Sequence, residues 1–338
     1  MAPRPVRPAR ITMPVSGSSP TLHRRARRAP RRFLERSLRG SGQVMFMNNP
    51  YTGLLNFVAL GWGAWAGGTT WTVVLGAALG VLVATGAAQA LRVERAARDA
   101  GLYGFNGLLV GAGIPTFLAP TPLMWAVLVF ACAVSAGVTR ALAELLRPWQ
   151  VPGLTFPFVL TTWLVLLAAD PLPGLATAAL PQAGLAAPAV AASVAFGLAD
   201  WVRAVLASVA QVFFVDDAVS GALFLLALAL QSRRAAVLGA AGALLAVAAA
   251  LALGAERAPV VHGLWGYSAV LTAVAVGGVF LPPGGRTLAL CAIATLFTVL
   301  VQGATLTLAG TLGVPALTFP FVLGTWLVLL ARGRSESA

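Results

Sequence analysis

The sequence predicts an all-α polytopic membrane protein built from two inverted repeats of five transmembrane helices each. Three observations predict it. The 338-residue chain is 59% hydrophobic and only 10% charged, whereas soluble domains carry about 25% charged residues, so most of this surface must face lipid. Apolar runs such as 71–91 and 235–253 reach the length of about 20 residues that a bilayer-crossing helix needs, where a membrane β-barrel would show alternating segments of about 10. Three sequence segments also occur twice, in the same order.

The first recurring segment is "QVMFMNNPYTG" at 43–53, matched by "QVFFVDDAVSG" at 211–221, 168 residues on. The second is "GLYGFNGLL" at 101–109, matched by "GLWGYSAVL" at 263–271, an offset of 162. The third is "LTFPFVL", identical at 154–160 and 317–323, an offset of 163. One such match means little, but three in register mean duplication. Five spans per half follow, at about 52–67, 70–91, 102–118, 121–142 and 150–168, then 218–231, 235–253, 262–281, 286–309 and 313–331.

An odd number of spans turns the second half upside down relative to the first. Arginine placement tests this, because cytoplasmic loops gather basic residues. With the N-terminus inside, the inner loops and C-terminal tail hold Arg92, Arg95, Arg98, Arg140, Arg147, Arg233, Arg234, Arg286, Arg332 and Arg334, and the outer segments only Arg203 and Arg257. The predicted organisation is an arm at 1–40, a first repeat at 41–168, a linker or extra helix at 169–205, a second repeat at 206–331 and a tail at 332–338, with both termini cytoplasmic. Inverted repeats place a pseudo-twofold axis in the membrane plane and the solute path at the repeat interface.

The arm holds eleven arginines against one acid, Glu35, most of the chain's formal charge of +13. Nucleic-acid binding is one reading of such an arm, but no aromatic interleaving or DNA-binding motif accompanies it. A disordered Pro/Arg-rich cytoplasmic arm touching anionic lipid is the reading adopted, with no nucleic-acid partner. A mitochondrial transit segment is the other option, and the arm lacks the apolar core of a secretory signal. All basic residues are arginine, which looks like GC-rich coding and a bacterial cytoplasmic membrane. Cys132 and Cys291 lie in apolar runs and imply no disulfide framework, while His23 and His262 stand outside any Cys or acidic cluster. No metal and no cofactor is expected.

Each repeated motif admits a structural and a functional reading. Proline inside an apolar segment frees backbone carbonyls that lipid cannot satisfy, so Pro157 and Pro320 mark a helix start or a kink lining a cavity. Thr155 and Thr318 stand two residues before them; one such threonine would simply bond back to its own helix, but a symmetric pair points to a solute path. Phe105 and Leu109 share a helical face, as do Tyr267 and Leu271. That is ordinary core packing, or, around a twofold, two rings facing each other. Gln43 and Gln211, each followed three residues on by Phe46 and Phe214, offer amides that suit a neutral polar solute better than an ion. Asn49 and Asp217 occupy matching places, and Asp216 and Asp217 read as capping or structural residues. The absence of an in-membrane acid–base pair, a metal cluster and a phosphate-binding loop argues against a pump, an enzyme and a nucleotide-driven carrier.

"GLYGFNGLLVG" and "PGLTFPFVLTTW", each echoed in the second half, resemble the urea transporter family over residues 43–331. The resemblance implies a homotrimer with one pore per protomer, two tilted re-entrant pore helices beside the ten spans, and passive, channel-like transport of urea. It further implies a substrate-binding set in this chain. Gln43 and Gln211 stand at the two mouths, and Val44 and Val212 offer backbone carbonyls at the pore-helix ends. Phe46 with Phe105, and Phe214 with Tyr267, flank a flat slot walled by Leu109 and Leu271, and Thr155 and Thr318 stand at the midpoint. The family's usual Phe is here Tyr267, whose hydroxyl narrows the slot or adds a donor, and "GFNG" is degraded to "GYSA" at 266–269. Urea, planar and neutral with one carbonyl and four N–H bonds, fits such a slot. The alternatives are a channel for another small neutral solute, such as a short amide, ammonia or water, and a non-transport membrane scaffold.

Overall fold

A computed structural model describes residues 20–180 and 196–332. Among the described residues, seven α-helices occur in each half, in the same order. In the first half α1 is Pro20–Gln43, α2 Pro50–Ala66, α3 Trp71–Ala90, α4 Arg95–Asp99, α5 Gly104–Phe117, α6 Pro122–Leu146 and α7 Phe156–Ala169. In the second half α8 is Leu198–Ala210, α9 Ala218–Gln231, α10 Arg233–Ala252, α11 Arg257–Val261, α12 Tyr267–Ala273, α13 Gly285–Thr311 and α14 Phe319–Ala331. The α12 helix continues as a π-helical turn over Val274–Phe280.

Every span read from the sequence coincides with a helix here. Four helices, α3, α6 with its short 3₁₀ extension, α10 and α13, are long and apolar enough to cross a bilayer singly. The segment formed by α8 and its 3₁₀ continuation bends by 71° against α9, as a broken or re-entrant span would. The fifth span of each half starts later than its apolar run, at Phe156 and Phe319 rather than near 150 and 313. Pro157 and Pro320 fall in the first turn, where a missing N–H costs nothing and a fixed φ favours helix. They start these helices rather than kink them.

One boundary needs correction. The arm is not disordered through residue 40, because helix α1 runs from residue 20. Its last turns are packed: Ser37 and Ser41 are buried, and a Cβ added at Gly53 of α2 would lie 1.8 Å from the Leu38 carbonyl oxygen. Tertiary contact there outweighs an Arg/Pro-rich composition averaged over the whole arm. Residues 1–19 of that call lie outside the described residues. Helix α8 starts at Leu198, within the segment 169–205 read as a linker or extra helix, and 181–195 lie outside the described residues.

Small residues let the helices touch without a hydrophobic drive between them, as in lipid they must. The α3 and α5 helices meet through Gly76, Gly80, Gly107 and Gly111. At the α8–α9 contact a Cβ on Gly221 would lie 2.0 Å from the Leu206 carbonyl oxygen, repeating Gly53 against Leu38 168 residues on.

Contacts between the halves are reciprocal. Thr52 Oγ1 donates to the Ala227 carbonyl at 3.0 Å, and Ser220 Oγ to the Ala59 carbonyl at 3.0 Å. The two pairs exchange under the 168-residue offset. Trp163 Nε1–H donates to the Pro315 carbonyl at 2.8 Å, and Trp326 Nε1–H to the Pro152 carbonyl at 2.9 Å, exchanging under the offset of 163. Contacts in which i meets j and j's counterpart meets i's are those of a twofold.

Candidate solute pathway

Helices α1 and α8 end at the first recurring motif. Each is followed by a non-glycine residue in the left-handed region, Phe46 at φ 66° and Phe214 at φ 60°. Such backbone is strained for a bulky residue and persists only where the surroundings enforce it. The enforcing contacts come from the opposite half. Phe46 packs edge-on against Phe280 and Phe321 of the second half, with centroids 5.6 and 6.1 Å away. Phe214 packs edge-on against Phe117 and Phe158 of the first, both at 6.1 Å. Each turn thus carries its phenylalanine across to the other half.

The same strain recurs before the third motif. Leu154 (φ 51°) and Leu317 (φ 49°) turn the chain into α7 and α14. Immediately after them Thr155 Oγ1 and Thr318 Oγ1 lie 2.6 Å apart, sharing one hydrogen bond between buried hydroxyls. The next residues, Phe156 and Phe319, also face each other, and each ring meets the other half's tryptophan, Trp326 or Trp163.

A cavity of about 680 Å³ runs from the exposed Arg140, Glu144 and Arg147 down to Thr155. Of the residues singled out from the sequence, Gln43, Val44, Phe46, Phe105 and Thr155 line it, joined by Phe280 and Phe321 from the second half. Thr318 adjoins it through Thr155. Leu109 and Leu271 are fully buried in the core and do not line this cavity, and neither do Gln211, Val212, Phe214 and Tyr267.

The glutamines are held alike. Gln43 Nε2–H donates to the Ala100 carbonyl and Gln211 Nε2–H to the His262 carbonyl, both at 3.0 Å. One of the two Nε2–H donors is thereby used, which fixes the orientation of the amide and of its Oε1 acceptor. The second motif differs between halves. Asn106 Nδ2 donates to the Leu154 carbonyl (3.4 Å) and to Thr139 Oγ1 (3.3 Å), while its Oδ1 accepts from the Phe158 N–H (3.2 Å). Tyr267 does not put its hydroxyl into a slot as a new donor, because that hydroxyl donates to the Leu317 carbonyl at 2.6 Å.

Asn49 and Asp217 cap α2 and α9 by accepting from the Tyr51 and Ser220 N–H groups. Asp216 ion-pairs with Arg203 (3.2 Å) and contacts His262 Nδ1 (2.5 Å). His262 stands in no Cys or acidic cluster among the described residues, but it does meet one acid, Asp216, which a separation of 46 residues hid from sequence reading. Sequence reasoning also missed the tryptophan pair, although "TTWLVLL" and "GTWLVLL" display it, and the Phe117 and Phe280 walls. The π-helical turn went unseen as well; Gly277 and Gly278 are its signal, and Arg234 donates to the Gly277 carbonyl at 2.7 Å.

The chain was compared with known proteins. The family model described as urea transporter matches residues 34–333. Urea transporter 1 of Rattus norvegicus is 30% identical over 301 residues, covering 88% of this chain and 77% of the relative. Urea transporter 1 of Mus musculus and that of Ovis aries are each 30% identical over 308 residues, covering 90% of this chain and 78% of the relative.

Proposed function

The chain belongs to the urea transporter family, and we propose that it carries urea passively across the membrane along the path from Gln43 through Thr155 and Thr318 to Gln211. The observation that carries this reading is the Thr155–Thr318 hydrogen bond at the foot of the cavity. Two hydroxyls there, each able to donate and accept, can open their mutual bond and give it to urea's carbonyl and N–H groups. Edge-packed phenylalanines on the way down present flat faces to a flat molecule. The fully buried polar side chains among the described residues are hydroxyls and amides, which replace water around a neutral solute and leave an ion's desolvation uncompensated. Weak, distributed bonding of this kind lets solute leave as readily as it enters.

The proposed site set is Gln43, Val44, Phe46, Phe105 and Thr155, which line the cavity, Thr318, bonded to Thr155, and, from the family resemblance alone, Leu109, Gln211, Val212, Phe214, Tyr267 and Leu271. The reciprocal contacts and the arginine distribution support repeats inverted about an axis in the membrane plane. The same reading makes the protein a homotrimer with one pore per protomer, in a bacterial cytoplasmic membrane with both termini inside.

Stopped-flow shrinkage of proteoliposomes in urea, short amides, ammonia and water tests it. Urea flux well above that of empty liposomes and indifferent to Na⁺ and proton gradients is the expected result. No acceleration by urea sinks the proposal, and acceleration by another solute alone reassigns the substrate.

A further inference from the structure

The two halves hold the residue before each central threonine by different means. In the first half the Leu154 carbonyl accepts from Asn106, whose Nδ2 also reaches Thr139 Oγ1. The counterparts 162 or 163 residues on are Ser268 for Asn106, Gln302 for Thr139 and Leu317 for Leu154. Ser268 Oγ makes no such bond, because the shorter side chain does not span the gap that an amide spans. The Leu317 carbonyl accepts instead from the Tyr267 hydroxyl at 2.6 Å, and Gln302 Nε2 lies 3.5 Å from that same hydroxyl. The polar group has moved one residue along the helix, from the second position of "FN" to the first of "YS". It still ends on the same carbonyl, beside the same neighbouring helix.

That carbonyl belongs to a residue in the left-handed region in both halves, and the next residue supplies half of the Thr155–Thr318 bond. A bulky residue keeps such backbone only when its surroundings over-determine it. We propose that Tyr267 is a positioning residue whose hydroxyl does for Leu317 what Asn106 does for Leu154, and so sets Thr318 against Thr155. The Tyr267 and Ser268 departures from the first-half pattern are then one compensated change. The hydroxyl is turned to the backbone and does not bind solute, so the tyrosine leaves the solute preference of a phenylalanine in place. The effect on flux rests on the urea reading above, while the effect on the backbone does not.

The test uses the full chain, in proteoliposomes for flux and in detergent for the thermal unfolding midpoint. Tyr267→Phe keeps the ring and removes the bond. Urea flux is expected to fall about fivefold, in line with one net hydrogen bond, and the unfolding midpoint to drop by about 1–2 °C. Adding Ser268→Asn to Tyr267→Phe recreates the first-half arrangement, and is expected to restore flux to within about twofold and the midpoint with it. The ratio of urea to methylurea flux should match the wild type in the rescued protein. Tyr267→Phe indistinguishable from wild type overturns the proposal. So does a loss that Ser268→Asn fails to restore, or a changed ratio in the rescued protein, either of which makes the hydroxyl a solute contact. If Tyr267→Phe alone yields no folded protein, recovery of folded protein on adding Ser268→Asn supports the proposal, and its absence overturns it. Wild-type protein without urea flux, combined with a midpoint that falls and recovers as described, removes the transport reading and leaves the positioning of Leu317 intact.

Discussion

Thr155 meets Thr318, Phe156 faces Phe319, and Trp163 and Trp326 each reach a proline carbonyl of the opposite half. Away from this contact the halves diverge: Phe105 and Asn106 become Tyr267 and Ser268, Thr139 becomes Gln302, and Asn48 becomes Asp216. The difference follows from geometry. A residue on the twofold touches its own counterpart or its counterpart's neighbours, so a change there must fit in two places at once. A residue off it answers only to its own half, and one neighbour can compensate for it. The first motif shows the same freedom as the second. Asn48 Oδ1 is held by Arg39 at 2.8 Å, while Asp216, its counterpart, is held by Arg203, one helical turn earlier in register.

The largest effect expected from breaking the symmetry is at Gly53 and Gly221. A Cβ at either would sit about 2 Å from a backbone oxygen of the preceding helix, and backbone cannot rotate away as a side chain would. Gly53→Ala and Gly221→Ala should each destabilise by about 3 kcal/mol, at the upper end of overpacking costs, or give no folded protein. Thermal unfolding in detergent measures both. Equal losses sharpen the equivalence of α1–α2 and α8–α9, whereas one tolerated alanine breaks it.

The on-axis features were the legible ones. "LTFPFVL" is written identically twice, so Thr155, Pro157, Thr318 and Pro320 announce themselves, and Phe46 and Phe214 follow from the first motif. The span pattern was legible because apolar runs and arginine-bearing loops are long. What escaped were contacts whose partners differ in type between halves, such as Thr139 and Gln302, or lie far apart, such as His262 and Asp216. The helical end of the arm escaped for a related reason: Ser37, Gly40 and Ser41 pack because they are small, and composition dominated by arginine and proline conceals that. Tyr267 was legible as a departure but not as a compensation, since the hydroxyl's acceptor is a backbone atom fifty residues away.

Next in size is the central bond. Thr155→Val removes one hydroxyl and leaves the other buried without its partner at 2.6 Å, a cost of about 1–3 kcal/mol. Each of Thr155→Val and Thr318→Val should slow urea flux about tenfold, the equivalent of about 1.4 kcal/mol in a barrier, with the protein still folded and its unfolding midpoint only modestly lowered. Because the two share one bond, the double variant should lose less than the product of the singles. A multiplicative loss would mean that the threonines act on solute separately, and unchanged flux in both singles would remove them from the path.

The smallest effect belongs to the mouth. Asp216→Asn converts the second half to the residue of the first, keeps one oxygen acceptor for Arg203, turns an NH2 donor toward His262 Nδ1 and removes the carboxylate charge. The Arg203–Asp216 pair is partly exposed, and such pairs contribute about 0–1 kcal/mol. Gln211, bonded to the His262 backbone carbonyl rather than to its ring, keeps its hold through the change. Urea flux should therefore move by less than about twofold. A drop comparable to that of the threonine variants would put the His262–Asp216 contact in control of Gln211, and the two mouths would then differ in mechanism as well as in sequence.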